Sequence, residues 1–213
     1  MEYINEDELL NHHDLMSWIK ENKLSKNYFE GGWSWHYQQF LKLLYHKISD
    51  TQFYYIIDAD VVIKRPFVLI SNEGVRTFFI TENQGHERSI ISTQKLLGDN
   101  LHTPSYSFIT DSMCFDKYIT RDMINNIEKR FNMEFYKAGI IVEQNSKARF
   151  SEYEMYGIYA NHSSQIYNLK ILPAFIPITS IDHLRKRDNL ESDNFLYRLK
   201  KHPYITYHAW LNN

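Results

Sequence analysis

The sequence predicts an α/β layered domain. Short apolar runs rich in β-formers alternate along the chain with apolar residues at helical spacing, and the strongest run ends in two carboxylates. A continuous apolar run of this kind reads as a strand covered on both faces, as in a parallel sheet between helices.

Glu6 to Glu21 reads as a first helix, with Leu9, Leu10, Leu15, Met16 and Ile19 set among charges. In a second helix Tyr37, Phe40, Leu41, Leu44, Tyr45 and Ile48 fall three, four, seven, eight and eleven residues from the first, which makes one buried stripe. Phe53-Tyr54-Tyr55-Ile56-Ile57 is the central strand, followed by Asp58-Ala59-Asp60 and then Val61-Val62-Ile63. Thr77 to Thr81 reads as a strand, and Ile90 to Leu97 as a helix ended by Gly98. Ser105 to Phe115 reads as one or two strands, and Arg121 to Phe131 and Glu152 to Ala160 as helices. Pro173 and Pro177 interrupt the strand pattern of Leu169 to Ile178, which places it at an edge or a bend. Tyr204 to His208 is the last strand.

At 213 residues, with no repeat or low-complexity linker, the chain is expected to form a single domain with a sizeable core. A net charge of −2 without a basic block excludes nucleic acid as an expected partner. Aromatic residues make up 15% of the chain, which suits either sugar and base recognition or a Tyr-rich core. The single cysteine, Cys114, excludes an internal disulfide and a multi-cysteine zinc site, and its apolar neighbours Met113 and Phe115 predict a buried structural thiol. No apolar run reaches the roughly 18 residues of a membrane span, and the acidic start does not read as a signal peptide. These features predict a cytoplasmic protein with no transmembrane segment.

The chemistry centres on Asp58-Ala59-Asp60. Two carboxylates at a strand's exit can reach one ligand where the backbone turns, and ligands of open α/β sheets bind at the carboxyl ends of strands. Hard cations such as Mg²⁺ and Mn²⁺ take oxygen ligands and share them between a few carboxylates and substrate phosphates. The competing reading is a solvated turn, because a chain of this length contains on the order of one Asp-x-Asp by chance. Before that strand, Gln38, Gln39, Lys42 and His46 lie opposite the buried stripe, and Gln39, Lys42 and His46 share one face. A plain solvated helix face is the alternative there.

Several segments together resemble a known family. They are Gly32-Trp33, Gln38-Gln39-Phe40-Leu41-Lys42-Leu43, Tyr55-Ile56-Ile57-Asp58-Ala59-Asp60-Val61-Val62, Arg65-Pro66, Ser107-Phe108-Ile109, Met113-Cys114-Phe115-Asp116 and Phe150-Ser151-Glu152-Tyr153-Glu154-Met155-Tyr156-Gly157. In this order, over most of positions 3 to 160, they resemble GT-A glycosyltransferases with an Asp-x-Asp motif, in particular a bacterial and viral branch of them. The resemblance implies a GT-A-like three-layer α/β domain, with a central mixed, mostly parallel sheet flanked by helices. It implies transfer of a hexose or deoxyhexose from a UDP-sugar donor to a hydroxyl of a glycan or glycoprotein acceptor. For a viral member the work would be done in the host cytoplasm.

The same resemblance implies roles for single residues. Asp58, Asp60 and His208 would hold Mn²⁺ or Mg²⁺, with His183 competing for the place of His208; an imidazole ligand favours Mn²⁺. Asp58, Ala59, Gln38, Gln39, Lys42, Thr110, Asp111 and Trp210 would bind the donor, with Lys42 on its diphosphate. Glu152 is the expected general base in an inverting transfer and Glu154 its competitor, although acids in a first helical turn are also favoured by the macrodipole alone. Such domains open with a strand–helix–strand unit that holds the base. Only 57 residues precede Asp58, so the resemblance implies a reduced nucleotide pocket or a natural start upstream. Two other classes stay open: a non-catalytic carbohydrate-binding module, and a metal-dependent phosphohydrolase, whose chemistry also uses paired carboxylates.

Overall fold

A computed structural model describes residues 3–24, 32–64, 66–82, 87–146, 148–166, 171–174 and 204–206. Over these it is a mixed α/β protein of short strand pairs and six α-helices. After a 3-10 turn at Glu6–Glu8 comes α1 (His12–Glu21), begun where the Asn11 side chain accepts from the Asp14 N–H at 3.0 Å. The predicted first helix is thus two pieces, divided at that cap.

Helix α2 (Trp33–Leu44) buries Tyr37, Phe40 and Leu44 as the stripe requires. It stops earlier than the stripe does. Tyr45–Lys47 is a 3-10 turn and Ile48 is exposed.

The strands are β1 (Phe53–Ile57), β2 (Val61–Ile63), β3 (Arg76–Phe79), β4 (Thr81–Glu82), β5 (Tyr106–Ser107), β6 (Ser112–Asp116), β7 (Ile171–Ala174) and β8 (Tyr204–Thr206). Three of the four described ladders are antiparallel: β1 with β6, β2 with β8 and β4 with β5. Only β3 with β7 runs parallel. The expectation of a mostly parallel sheet is therefore corrected for the described strands. It rested on reading β1 as covered on both faces, yet β1 buries only Tyr54 fully and exposes Ile57. In β6, by contrast, all five residues are buried.

The remaining helices are α3 (Glu87–Leu97), α4 (Lys117–Phe131), α5 (Phe135–Gln144) and α6 (Glu152–Ile166). Asp116 begins α4 by accepting from the N–H groups of Tyr118 and Ile119, and Ile119, Met123 and Ile127 form its core stripe. Helix α5 has no clear signal in the sequence, because Ile140, Ile141 and Val142 are β-branched and Gly139 is a poor helix former. Packing decides in its favour. A Cβ on Gly139 would lie 2.9 Å from the Phe150 ring, so only glycine lets α5 approach that closely.

One core joins α1 to α6. Much of the aromatic share is spent there: Phe40 packs on Phe135 and Phe150, Tyr54 stacks on Phe115 at 5.2 Å, and Phe115 meets Tyr156 at 4.5 Å. Cys114 is buried as expected, and burial pushes its thiol up to about 11, so it stays protonated. No helix among the described residues is long and apolar enough to cross a membrane.

Candidate functional site

Three elements meet at the carboxyl end of β1. Lys42 on the last turns of α2 reaches across to that end. Its Nζ donates to Asp58 Oδ1 at 2.7 Å, to Glu152 Oε1 at 2.8 Å and to the Tyr153 hydroxyl at 3.1 Å. The Tyr153 hydroxyl donates in turn to Asp58 Oδ1 at 3.3 Å, and the Lys42 ammonium lies 4.4 Å from the centre of the Tyr153 ring. Gln39, one turn earlier and fully buried, accepts from the Glu152 N–H at 3.3 Å. That bond satisfies an amide at the start of α6 that has no partner within its own helix.

Electrostatics fixes the protonation states. Burial alone would lower the pKa of the Lys42 ammonium, but the neighbouring Glu152 and Asp58 carboxylates outweigh it and raise the pKa. The Tyr153 phenol is pushed far above its usual range by burial first, and then by Glu152, Asp58 and Asp111, so it remains a donor. The Lys42 ammonium is thus paired with two carboxylates, those of Asp58 and Glu152.

Asp58-Ala59-Asp60 forms a turn, closed by the Val61 N–H donating to the Asp58 carbonyl at 3.1 Å. The Asp58 N–H donates to the Asp111 carbonyl at 3.0 Å, which ties the turn to the segment just before β6. Two carboxylates beside one turn suit a hard ion whose other ligands are water and phosphate oxygen. Among the described residues no three His, Cys, Asp or Glu side chains are grouped to hold a metal ion. Any third protein ligand would have to come from elsewhere. His208 and Trp210, and the competitor His183, lie outside the described residues.

The other expected residues divide. Gln38 is exposed on the same face of α2 as Lys42, one turn before it. Ala59 is exposed at the turn. Thr110 is buried and spends its hydroxyl on the Ser112 carbonyl at 2.6 Å, which reads as a turn contact. His46 is not brought to the cluster. The α-helix has already ended there, its Nδ1 bonds the Leu43 carbonyl at 2.8 Å, and burial lowers its pKa.

The two candidate bases are separated. Positions two apart on a helix point to nearly opposite sides. Glu152 faces Lys42, whereas Glu154 faces the turn after β5, where Oε2 accepts from Ser107 Oγ and the Phe108 N–H, both at 2.7 Å. Burial raises the pKa of the Glu154 carboxyl, against those two bonds. Its geometry is that of a turn clamp. Gly157, the next residue along that side of α6, admits the Phe108 ring: a Cβ there would lie 2.1 Å from Phe108 Cγ.

Tyr153 is the site residue that the sequence reading passed over. Its position between two acids carried no periodic signal. Only the reach of a long side chain back toward Asp58 places it in the cluster.

No curated protein and no solved structure matches the chain. One family does, over residues 4–175, a span that includes Gln39, Lys42, Asp58, Asp60, Glu152 and Tyr153. The cluster therefore lies wholly within the matched region, and the chain belongs to the family described as DUF6492, a family of unknown function.

Proposed function

We propose that the chain is a metal-dependent glycosyltransferase with a GT-A-like three-layer domain. It moves a hexose or deoxyhexose from a UDP-sugar to a hydroxyl of a glycan or glycoprotein acceptor in the cytoplasm. The observation that supports this reading is the convergence of three segments of the resemblance, at Lys42, Asp58 and Glu152, within 2.8 Å of one ammonium. They come from parts of the chain up to 110 residues apart.

Asp58 and Asp60 would hold Mn²⁺ or Mg²⁺, which when bound neutralises charge on the leaving diphosphate. Lys42 turns from its two carboxylates to the diphosphate oxygens, a charge-assisted contact of similar geometry. That movement frees Glu152. In an inverting transfer the acceptor oxygen bonds to the anomeric carbon, the bond from that carbon to the diphosphate breaks, and Glu152 takes the acceptor's proton. Tyr153, held protonated, keeps Asp58 in place throughout.

A non-catalytic sugar-binding module is the second reading. It is favoured by the full engagement of Glu152 Oε1 with Lys42. Calorimetric titration of nucleoside diphosphates with and without Mn²⁺ separates the two, run on the parent protein and on Asp60→Ala. A transferase binds one nucleotide in a metal-dependent way, and Asp60→Ala loses that binding with its thermal midpoint little changed. Binding that ignores the metal supports the module instead. Parental affinity in Asp60→Ala removes Asp60 from the site.

A further inference from the structure

Because β1 and β6 run antiparallel, their ladder has a strand's carboxyl end at each extremity. Ile57 pairs with Ser112 beside the site described above, and Phe53 pairs with Asp116 at the other end. The two ends are roughly 13 Å apart at the rise of a β-strand. Beyond Asp116, where β6 passes into α4, lies a cleft of about 380 Å³. This is at the lower end of the size range of small-molecule sites.

Two of the residues lining the cleft, Arg76 and Asp116, form a buried ion pair. Arg76 is 7% exposed, lies over the Phe53 ring and donates through Nη2 to Asp116 Oδ2 at 2.8 Å. Its other terminal nitrogen, Nη1, is buried without an acceptor among the described residues. Asp116 has no capacity left, since it also accepts from Gln52 Nε2 at 3.0 Å and from the N–H groups of Tyr118 and Ile119. The wall is a stripe on α4, in which Tyr118, Arg121, Asp122 and Asn125 share the face opposite the core residues Thr120, Met123 and Ile127. Tyr118 is 49% exposed, with the Arg121 guanidinium 5.4 Å from its ring centre. Asp122 is fixed by the Tyr159 hydroxyl, which donates to its Oδ2 at 2.6 Å.

We infer that this cleft binds a neutral saccharide of one or two rings. Among the described residues that line the cleft, two arginines stand with two aspartates, so this lining carries no formal net charge; a further cation, Lys117, lies 5.8 Å from the Tyr118 ring centre and donates to the Ser49 carbonyl at 2.9 Å. The walls offer donors and acceptors side by side, from the guanidinium groups and from the side-chain amides of Gln52 and Asn125. Vicinal sugar hydroxyls both donate and accept, and so match such a surface. The half-exposed tyrosine, with Arg121 and Lys117 near its ring, supplies the aromatic surface against which a pyranose ring's C–H groups would pack. The inference does not rest on catalysis at Lys42, because the cleft is built from other side chains at the opposite end of the ladder.

The test uses the full chain and a panel of neutral mono- and disaccharides, with binding read by saturation-transfer NMR and calorimetry. At least one sugar should bind, and Tyr118→Ala and Asn125→Ala should each weaken it by about tenfold or more. Both are exposed positions whose loss leaves the fold intact, whereas Arg76 and Asp116 hold β3 to β6 and are left in place. Asp60→Ala should bind the sugar like the parent, which keeps the outcome separate from that of the proposed transferase. No binding by any sugar overturns the inference. So does parental affinity in both cleft variants, loss of binding in Asp60→Ala, or inorganic phosphate displacing the sugar.

Discussion

Replacing Lys42 with methionine tests the architecture of the cluster most directly. The Lys42 side chain is 12% exposed and is paired with Glu152 at 4% exposure and with Asp58 at 31%. Breaking a buried pair costs about 3–5 kcal/mol, because the partner is left charged in a poorly solvated place. The half-open Asp58 can recover water, so its share is closer to the about 0–1 kcal/mol of a surface pair. The loss therefore comes mainly from Glu152 and is about 3 kcal/mol at neutral pH. For a chain of this size that lowers the melting temperature by about 6–12 °C. The raised Lys42 pKa gives the pH window. The pair's contribution is complete below the unfolded lysine value of 10.5 and is lost as pH rises through the higher folded value. The parent's advantage over Lys42→Met should be present at pH 7 and fade in strong alkali. Differential scanning calorimetry reads both variants, Lys42→Met and Lys42→Met with Glu152→Gln. The second change removes the stranded charge and should restore most of the loss. An unchanged midpoint in the single variant, or no recovery in the double, would refute a buried counterion role for Lys42.

Three further outcomes are expected. Glu154→Gln keeps an acceptor for Ser107 and Phe108 but removes the buried charge. The folded pKa of Glu154 is raised, so its protonated form is favoured in the fold; in urea titrations the parent should gain on the variant as pH falls through that value, and a flat difference from pH 4 to 8 speaks against it. Gly157→Ala drives a methyl into Phe108 at 2.1 Å and should cost about 3 kcal/mol, the upper part of the overpacking range, with partial recovery on adding Phe108→Leu; a midpoint within error of the parent would mean the helix can shift. Under the proposed function, Glu152→Gln should slow turnover by about 100- to 10,000-fold while UDP-sugar affinity stays near parental, and a matching loss of affinity would make Glu152 a binding residue instead.

Local pattern determined a good deal of this protein. The stripe of Tyr37, Phe40 and Leu44 was enough for α2, the apolar run ending in Asp58 was enough for β1, and the neighbours of Cys114 were enough for its burial. Each depends on residues a few positions apart, where periodicity records which side is wet. The sequence also put Lys42, Asp58 and Glu152 on one list of chemical residues, through the resemblance. Tertiary structure decided what they are to one another. A bond between Lys42 and Glu152 spans 110 residues, and no local pattern encodes a closure of that length. The same holds for the antiparallel pairing of β1 with β6, because an apolar strand carries no mark of its partner's direction. Glu152 and Glu154 look equivalent in the chain. The helical turn between them sends one to the ammonium and the other to the Ser107 turn, and that rotation becomes a difference in chemistry only when α6 is docked between α2 and the Phe108 ring.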